Sequence, residues 1–202
     1  MATHRPAAHN LPRGDLSREG EGFPAPRFVP APQAPDYLDA ALDGKTIGIG
    51  GSITVQEMGL GERLAKHNTV LWHWAGSTTQ EAAGAQVYLT SVNGAAETGE
   101  LINIDGTGNR VASGLFGHEK VYFIVGWNKV APDYDAALWR ARNIAAPKNA
   151  QRLGRKTPCA AKGDRCYDCK SPERICRALV VYWEKPGSMD MEVVLVDEDL
   201  GY

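Results

Sequence analysis

Four cysteines near the C-terminal end are the residues whose types and spacing point most clearly to chemistry. Cys159, Cys166, Cys169 and Cys176 are all the cysteines of the chain, and they are spaced as C-x6-C-x2-C-x6-C. Two residues between a pair of cysteines let both sulfur atoms reach one centre. Because the surrounding segment has the composition of a loop, the spacing predicts a metal site. Two disulfides or four idle thiols are the alternatives.

Positive charge surrounds these cysteines. Residues 140–177 contain eleven Lys and Arg against three Asp and Glu, whereas the whole chain has a formal net charge of −2. Four thiolates on a metal or an iron–sulfur cluster leave net negative charge, which nearby cations stabilise. The same cations are suited to an anionic substrate or partner, and a solvated basic face is the alternative. The slightly acidic overall balance and the lack of interleaved aromatics argue against a nucleic-acid partner.

Polar, glycine-rich loops that follow predicted strands are the second group of candidates. The loop GIGGSIT lies between a strand and a helix, an arrangement suited to an anion, and the loops TSVNG, DGTGNR and GWNKV offer amides, hydroxyls and cations. Ordinary turn chemistry is the alternative for each loop. The candidate anion-binding or substrate-binding residues are Gly50, Gly51, Ser52, Thr54, Ser91, Asn93, Asp105, Gly106, Thr107, Asn109, Arg110, Asn128 and Lys129.

Alternating strands and helices must position these loops. The pattern predicts strands over 45–49, 70–74, 85–90, 100–104, 120–125, 178–183 and 191–196, with helices over 54–66, 78–83, 111–116 and 133–145. This order indicates an α/β sheet with ligands at the carboxyl ends of its strands. Residues 1–35 hold seven of the twelve prolines and are predicted to form a disordered or extended tail. One domain is expected over 36–202, with a cysteine-rich metal loop at 157–177.

The chain shows no apolar run long enough for a membrane span and no apolar signal core at its N-terminus. A cytoplasmic location is therefore expected, where thiols serve as metal ligands more readily than as disulfides.

Several separate motifs together resemble the LUD-domain family of lactate-utilisation proteins. They are GIGGSITVQEMG, VYLTSVNGAAETGELINIDGTGNRV, VGWNKV, RNIAAPKNAQRLGRKTPC, CYDCKSPERIC and VDEDLGY, in that order between about residues 44 and 202. The four-cysteine segment resembles the branch of the family that is common in anaerobic bacteria.

The resemblance implies a parallel-rich α/β sheet flanked by helices, like the fold of glucosamine-phosphate deaminase, ribose-phosphate isomerase and CoA transferases. It implies a role in the oxidation of L-lactate to pyruvate, beside iron–sulfur protein subunits. Because CoA transferases of this fold use a glutamate nucleophile, Glu97 is the candidate catalytic residue by analogy with the fold. Family members begin with a helix and a strand before the Gly-Gly-Ser loop, where this chain has its Pro-rich segment.

Three functions follow as hypotheses. The first is an accessory or electron-transfer component of lactate oxidation, with a [4Fe–4S] cluster, or else zinc, on the four cysteines. The second is an enzyme that acts on a small phosphorylated or CoA-linked organic acid, bound as an anionic metabolite by the strand-end loops. The third is a non-catalytic interaction module, suggested by the altered N-terminal region.

Overall fold

A computed structural model describes residues 26–202 of the chain, and within that range the polypeptide forms two β-sheets with helices around them. The ten strands of this range are β1 (Arg27–Val29), β2 (Thr46–Ile49), β3 (Thr69–Trp72), β4 (Val87–Thr90), β5 (Gly94–Ala96), β6 (Leu101–Asp105), β7 (Lys120–Gly126), β8 (Val130–Ala131), β9 (Ala178–Tyr182) and β10 (Asp190–Val196). The eight α-helices are α1 (Ala34–Ala41), α2 (Ile53–Glu57), α3 (Leu60–Leu64), α4 (Thr79–Ala83), α5 (Asn109–Leu115), α6 (Tyr134–Arg140), α7 (Ala146–Arg152) and α8 (Pro158–Lys162). Short 3-10 turns cover Ala31–Gln33, His73–Ala75 and Trp127–Lys129.

The larger sheet has six parallel strands in the order β1-β10-β7-β4-β2-β3. Its central strand β7 is almost wholly buried, which fits the unbroken apolar run from Val121 to Val125. The expected α/β fold with a parallel-rich sheet flanked by helices is therefore confirmed. Parallel pairing brings the carboxyl ends of β2, β4, β7 and β10 to one edge of the sheet, where three of the predicted polar loops begin.

The second sheet has four strands in the order β8-β5-β6-β9, with antiparallel β5–β6 and β6–β9 pairs. The sequence pattern predicted one sheet and placed the strands over 100–104 and 178–183 in it. Both belong instead to this smaller sheet. The turn over 97–99 folds β6 back on β5, and β9 pairs with the other edge of β6. The pairing sets Asp105 opposite Ala178, so the DGTGNR loop lies beside the end of residues 163–177, which we call the cysteine segment.

The N-terminal boundary of the folded region differs from the prediction. Residues 1–25 lie outside the described part of the chain, but the remainder of the predicted tail is structured. Arg27–Val29 pairs with β10, and α1 packs Leu38 into the core with no exposed surface. Apolar residues between the prolines supply this strand and helix, and Pro35 is acceptable because it stands in the first turn of α1, where no helical N–H is needed.

Two helical regions differ in detail from the sequence pattern. The helix predicted over 54–66 is divided at Gly59, whose left-handed φ of +62° ends the first segment and begins α3. The helix predicted over 133–145 begins at the N-cap Asp133, passes through a π-helical turn at Ala141–Ala145 and continues as α7. This continuation carries the helical surface toward the cysteine segment.

Apolar side chains from both sheets form one of the cores. Phe123 and Val125 from β7 pack with Leu101 from β6 and Tyr182 from β9, and the rings of Phe123 and Tyr182 meet edge-on with centroids 5.3 Å apart. The other face of the larger sheet packs against α1, α2 and α3. Within residues 26–202 no helix is both long and apolar enough to cross a membrane.

Candidate functional site

All four cysteines line a single cavity of about 280 Å³, which we call the thiol cavity. Each thiol is free and partly exposed. Cys159 lies on α8, a helix that the sequence pattern assigned to a loop and that begins at its N-cap Thr157. Cys176 lies two residues before the start of β9, and Cys166 and Cys169 lie on the irregular chain between α8 and β9. The fold therefore gathers the cysteines around one space.

Donor groups surround the sulfur atoms. The guanidinium of Arg174 donates to Cys176 Sγ at 3.4 Å, and the backbone N–H of Asp168 donates to Cys166 Sγ at 3.4 Å. Asp168 has a left-handed φ of +47°, which aspartate tolerates better than most residues and which turns the C-x2-C segment. The hydrogen bond from Arg174 to Cys176 raises the pKa of that guanidinium. Such donors stabilise negative charge on metal-bound sulfur.

The chemistry of the donor set fits a thiolate-bound metal. Four cysteines with no carboxylate among them suit zinc or an iron–sulfur cluster. Among residues 26–202, no three His, Cys, Asp or Glu side chains are arranged as ligands of a metal ion. The metal site at Cys159, Cys166, Cys169 and Cys176 therefore stays a prediction, supported by the shared cavity and the surrounding donors.

A larger cavity of about 480 Å³, the cationic cavity, lies beside the thiol cavity. Five arginines line it against two acidic residues, Asp105 and Glu173, so its charge favours an anion. Seven of the thirteen residues predicted from the strand-end loops are among those that line it. They are Gly51, Asn93, Asp105, Gly106, Thr107, Asn109 and Arg110.

The DGTGNR loop is held by its own aspartate. Asp105 accepts hydrogen bonds from the backbone N–H groups of Thr107 and Gly108, both at 2.9 Å, so it shapes the loop. Arg110 extends back across the strand ends and donates to the carbonyl oxygens of Ser91 at 3.0 Å and Ile104 at 2.8 Å. The loop is thereby fixed before any ligand arrives, which reduces the entropic cost of binding.

Four of the five arginines were not among the predicted site residues. Arg152 and Arg155 lie at the end of α7 and just beyond it, and Arg174 and Arg177 come from the cysteine segment. The basic stretch at 140–177 showed the charge of these arginines in the sequence, but it did not show that their side chains line one cavity. The spacing of Asn149 and Arg152 by three residues on a helix was the available signal, because such residues share a face.

The two cavities share a wall. Arg174, Ile175 and Arg177 line both, and the backbone of the cysteine segment touches the DGTGNR loop directly. A Cβ atom on Gly106 would lie 2.8 Å from the carbonyl oxygen of Ile175, so glycine is what permits this approach. The backbone N–H of Arg177 also donates to the carbonyl of Asp105 at 2.9 Å.

A different group of the predicted residues is buried beneath the chain end at 200–202. Lys129 is 4% exposed, and its ammonium donates to Thr54 Oγ1 at 2.7 Å and Ser91 Oγ at 2.9 Å. Burial, with a smaller contribution from the neighbouring Arg140 and Arg110, lowers the pKa of Lys129 to about 7. We call Thr54, Ser91 and Lys129 the lysine cluster.

The remaining candidates have structural positions. Asn128 exchanges hydrogen bonds with the backbone of Leu200 and Gly201, which anchors the chain end. Ser52 is the N-cap of α2 and accepts from the N–H of Val55, and a Cβ on Gly50 would lie 2.8 Å from the Tyr88 hydroxyl.

Glu97 lines neither cavity. It is exposed where β5 ends, and its N–H donates to the carbonyl of Ala131. The prediction of Glu97 as a catalytic residue required the loop after β4 to stay at the edge of the larger sheet, but it does not. It enters the β5–β6 hairpin and carries this carboxylate away from the parallel strand ends. The structure therefore gives no geometric support to Glu97 as a catalytic residue.

The two sheets and the cavity at their strand ends define an α/β domain with an arginine-lined cavity. The sequence pattern of the family described as LUD domain matches residues 27–196, and the chain belongs to this family. No curated protein sequence matches the chain. A solved structure similar to it is the crystal structure of a DUF162 family protein from Deinococcus radiodurans at 1.70 Å resolution, with 14% sequence identity, 85% of this chain and 88% of that chain covered, and a TM-score of 0.46.

Proposed function

We propose that this LUD-domain chain is a metal-bearing component of the oxidation of L-lactate to pyruvate. The observation that carries the proposal is the placement of four free cysteines around one cavity that shares its wall with a cationic cavity. The thiols would hold a [4Fe–4S] cluster, with zinc as the alternative. The arginines would hold the carboxylate of the acid.

The chain's own residues supply charge and position in this proposal. When bound, an iron–sulfur cluster supplies one-electron transfer, and its potential depends on hydrogen bonds to the sulfur atoms and on solvent exposure. Arg174 donates such a bond to Cys176. Leu179, which lines the thiol cavity, is 49% exposed, so the centre would lie close enough to the surface for an iron–sulfur partner subunit to approach.

The test is metal analysis of the full chain purified without oxygen. A cluster on four thiolates gives a brown protein with absorbance near roughly 400 nm and equal amounts of iron and acid-labile sulfide. Cys169→Ser removes one ligand and is expected to abolish both signals. Ser188→Ala, a substitution outside the cysteine segment, serves as the control. Stoichiometric zinc in a colourless protein would remove electron transfer and leave a structural metal.

A second candidate function is an enzyme acting on a phosphorylated or CoA-linked organic acid. The size and charge of the cationic cavity favour it, because about 480 Å³ lies in the range that accommodates drug-sized ligands and exceeds what a three-carbon acid fills. Thermal-shift measurements separate the two, since a ligand that binds the native state raises its stability. Stabilisation by L-lactate or pyruvate supports the first function, and stabilisation by phosphorylated acids alone supports the second.

A further inference from the structure

The chain between α8 and β9 is held by hydrogen bonds, such as those from the Cys166 N–H to Asn143 Oδ1 and from the Ser171 hydroxyl to the Lys156 carbonyl, and not by buried side chains. Residues 163–177 form fifteen consecutive residues without helix or strand, and none of them is buried. Irregular segments of this length are uncommon in compact domains and are usually functional or disordered. Burial of apolar side chains cannot offset the conformational entropy of ordering this segment.

This same segment builds one side of the cationic cavity. Pro172, Glu173, Arg174, Ile175 and Arg177 line that cavity, so two of its five arginines belong to the segment. The other side is independent of it. Arg152 and Asn149 lie on α7, whose Pro147 and Ala150 are buried in the domain.

We propose that metal binding by the four cysteines orders the cysteine segment and thereby completes the anion site of the cationic cavity. The inference rests on the metal-binding part of the proposed function but requires no redox activity. Metal bound by a segment that is otherwise unordered contributes its binding free energy to folding of that segment. By linkage, an anion held by Arg174 and Arg177 must in turn strengthen metal binding by the same factor.

One electrostatic effect opposes this coupling. Four thiolates on a divalent metal or on a cluster core of charge +2 carry a net charge of −2, which repels an anion in the adjoining cavity. Ordering the segment brings the guanidinium groups of Arg174 and Arg177 to the cavity wall. Because these groups line both cavities and so stand between the metal centre and the anion, we expect ordering to outweigh the repulsion and the net coupling to be positive.

The test compares inorganic phosphate binding by calorimetry to metal-loaded and chelator-stripped full chain. We expect loaded protein to bind at least about fivefold more tightly, the lower end of typical coupling between sites. Equal binding, or tighter binding by stripped protein, overturns the inference. Circular dichroism must show that the stripped protein keeps its fold, and global unfolding would overturn the inference because the metal would then hold the domain and not the segment.

Two matched variants separate the walls of the cavity. Arg174→Gln is expected to weaken phosphate binding severalfold in metal-loaded protein. It is expected to have no effect in stripped protein, because there the unordered segment no longer places Arg174 at the cavity. Arg152→Gln removes the same charge from α7 and is expected to weaken binding equally in both states. An equal loss from Arg174→Gln in both states contradicts the inference. Lys66→Gln, far from the cavity in sequence and exposed, controls for net charge.

Trypsin supplies a readout that is independent of anion binding. Lys162, Arg165 and Lys170 are exposed around the first half of the segment, and cleavage there should be severalfold faster after metal removal. Equal rates of cleavage in the metal-loaded and the stripped protein contradict the inference. A chain that takes up no metal refutes the inference and the proposed function together, whereas a metal-bound chain with unchanged phosphate affinity refutes the inference alone.

Discussion

At the scale of single residues, the lysine cluster is the most unusual arrangement in the domain. Lys129 is buried against two hydroxyl groups, and its pKa of about 7 lies well below the 10.5 of an ordinary lysine. The unfolded chain therefore keeps the lysine proton up to about pH 10, while the native state releases it near pH 7. The native state binds fewer protons in that window, so stability rises with pH there and the full cost is present below pH 7.

Lys129→Met is expected to remove this dependence on pH. Between pH 7 and 9, the free energy of unfolding of the unmodified chain should rise relative to that of the variant by up to about 1.4 kcal/mol for each pH unit. Urea unfolding at several pH values measures the difference between the two proteins, which cancels the other titrating groups. Lys66→Met removes an exposed lysine and should leave the curve unchanged. Parallel curves for Lys129→Met and the unmodified chain would contradict the assignment.

At the scale of elements, the contact between the DGTGNR loop and the cysteine segment joins the two cavities. A side chain on Gly106 would meet the backbone of Ile175, which cannot rotate away as a side chain can. Gly106→Ala should displace the cysteine segment and lower metal affinity by at least about tenfold, the usual scale for disturbed support around a metal site.

Competition with a chromophoric chelator measures this affinity. Gly187→Ala is the control, because a Cβ at Gly187 meets nothing within 4 Å and its backbone needs no left-handed φ. Unchanged metal affinity in Gly106→Ala would mean that the two loops move independently.

How much of this arrangement the sequence predicted depends on the kind of element. The strands at 120–125 and 191–196 could be predicted because each consists mostly of β-branched and other apolar residues. The division of strands between two sheets could not be predicted, since the strand over 100–104 has the same composition in either sheet and only the turn at 97–99 reverses the chain direction. The three-residue strands β1 and β5 are too short to show a period.

The site shows the same division. Residues fixed by a local loop, such as Asn109 and Arg110, were predicted because the loop directly follows a strand. The sequence did not predict that Arg155 and Arg177 line the cavity, because the direction of their side chains depends on packing between distant elements. The lysine cluster was assigned to the anion site, but the chain end at 200–202 covers it, and no local sequence pattern encodes that contact.

At the scale of the whole molecule, the aromatic contact between the sheets predicts that they unfold together. Tyr182 is 2% exposed, meets Phe123, and lies so close to Gly114 that a Cβ there would come within 2.3 Å of its hydroxyl. Tyr182→Ala should lower the free energy of unfolding by about 3–5 kcal/mol, the usual range for a large buried aromatic.

Chemical unfolding followed by circular dichroism and by tryptophan fluorescence measures both the loss and its cooperativity. The neighbouring Trp183 is 76% exposed, so Trp183→Ala should change stability by no more than about 0.5 kcal/mol. Two separate transitions would show that the smaller sheet unfolds independently of the larger one. A small loss of stability in Tyr182→Ala would show that the aromatic contact does not couple the two sheets.

The position of Trp74 gives the protein a built-in optical probe. Its indole lies at the edge of the cationic cavity, 3.4 Å from the point where a Cβ of Gly51 would stand, and the guanidinium of Arg152 covers its ring at 5.3 Å. Emission from an indole responds to charge and water nearby. An anion that draws Arg152 away should therefore shift that emission, so unlabelled protein can be screened against collections of metabolites.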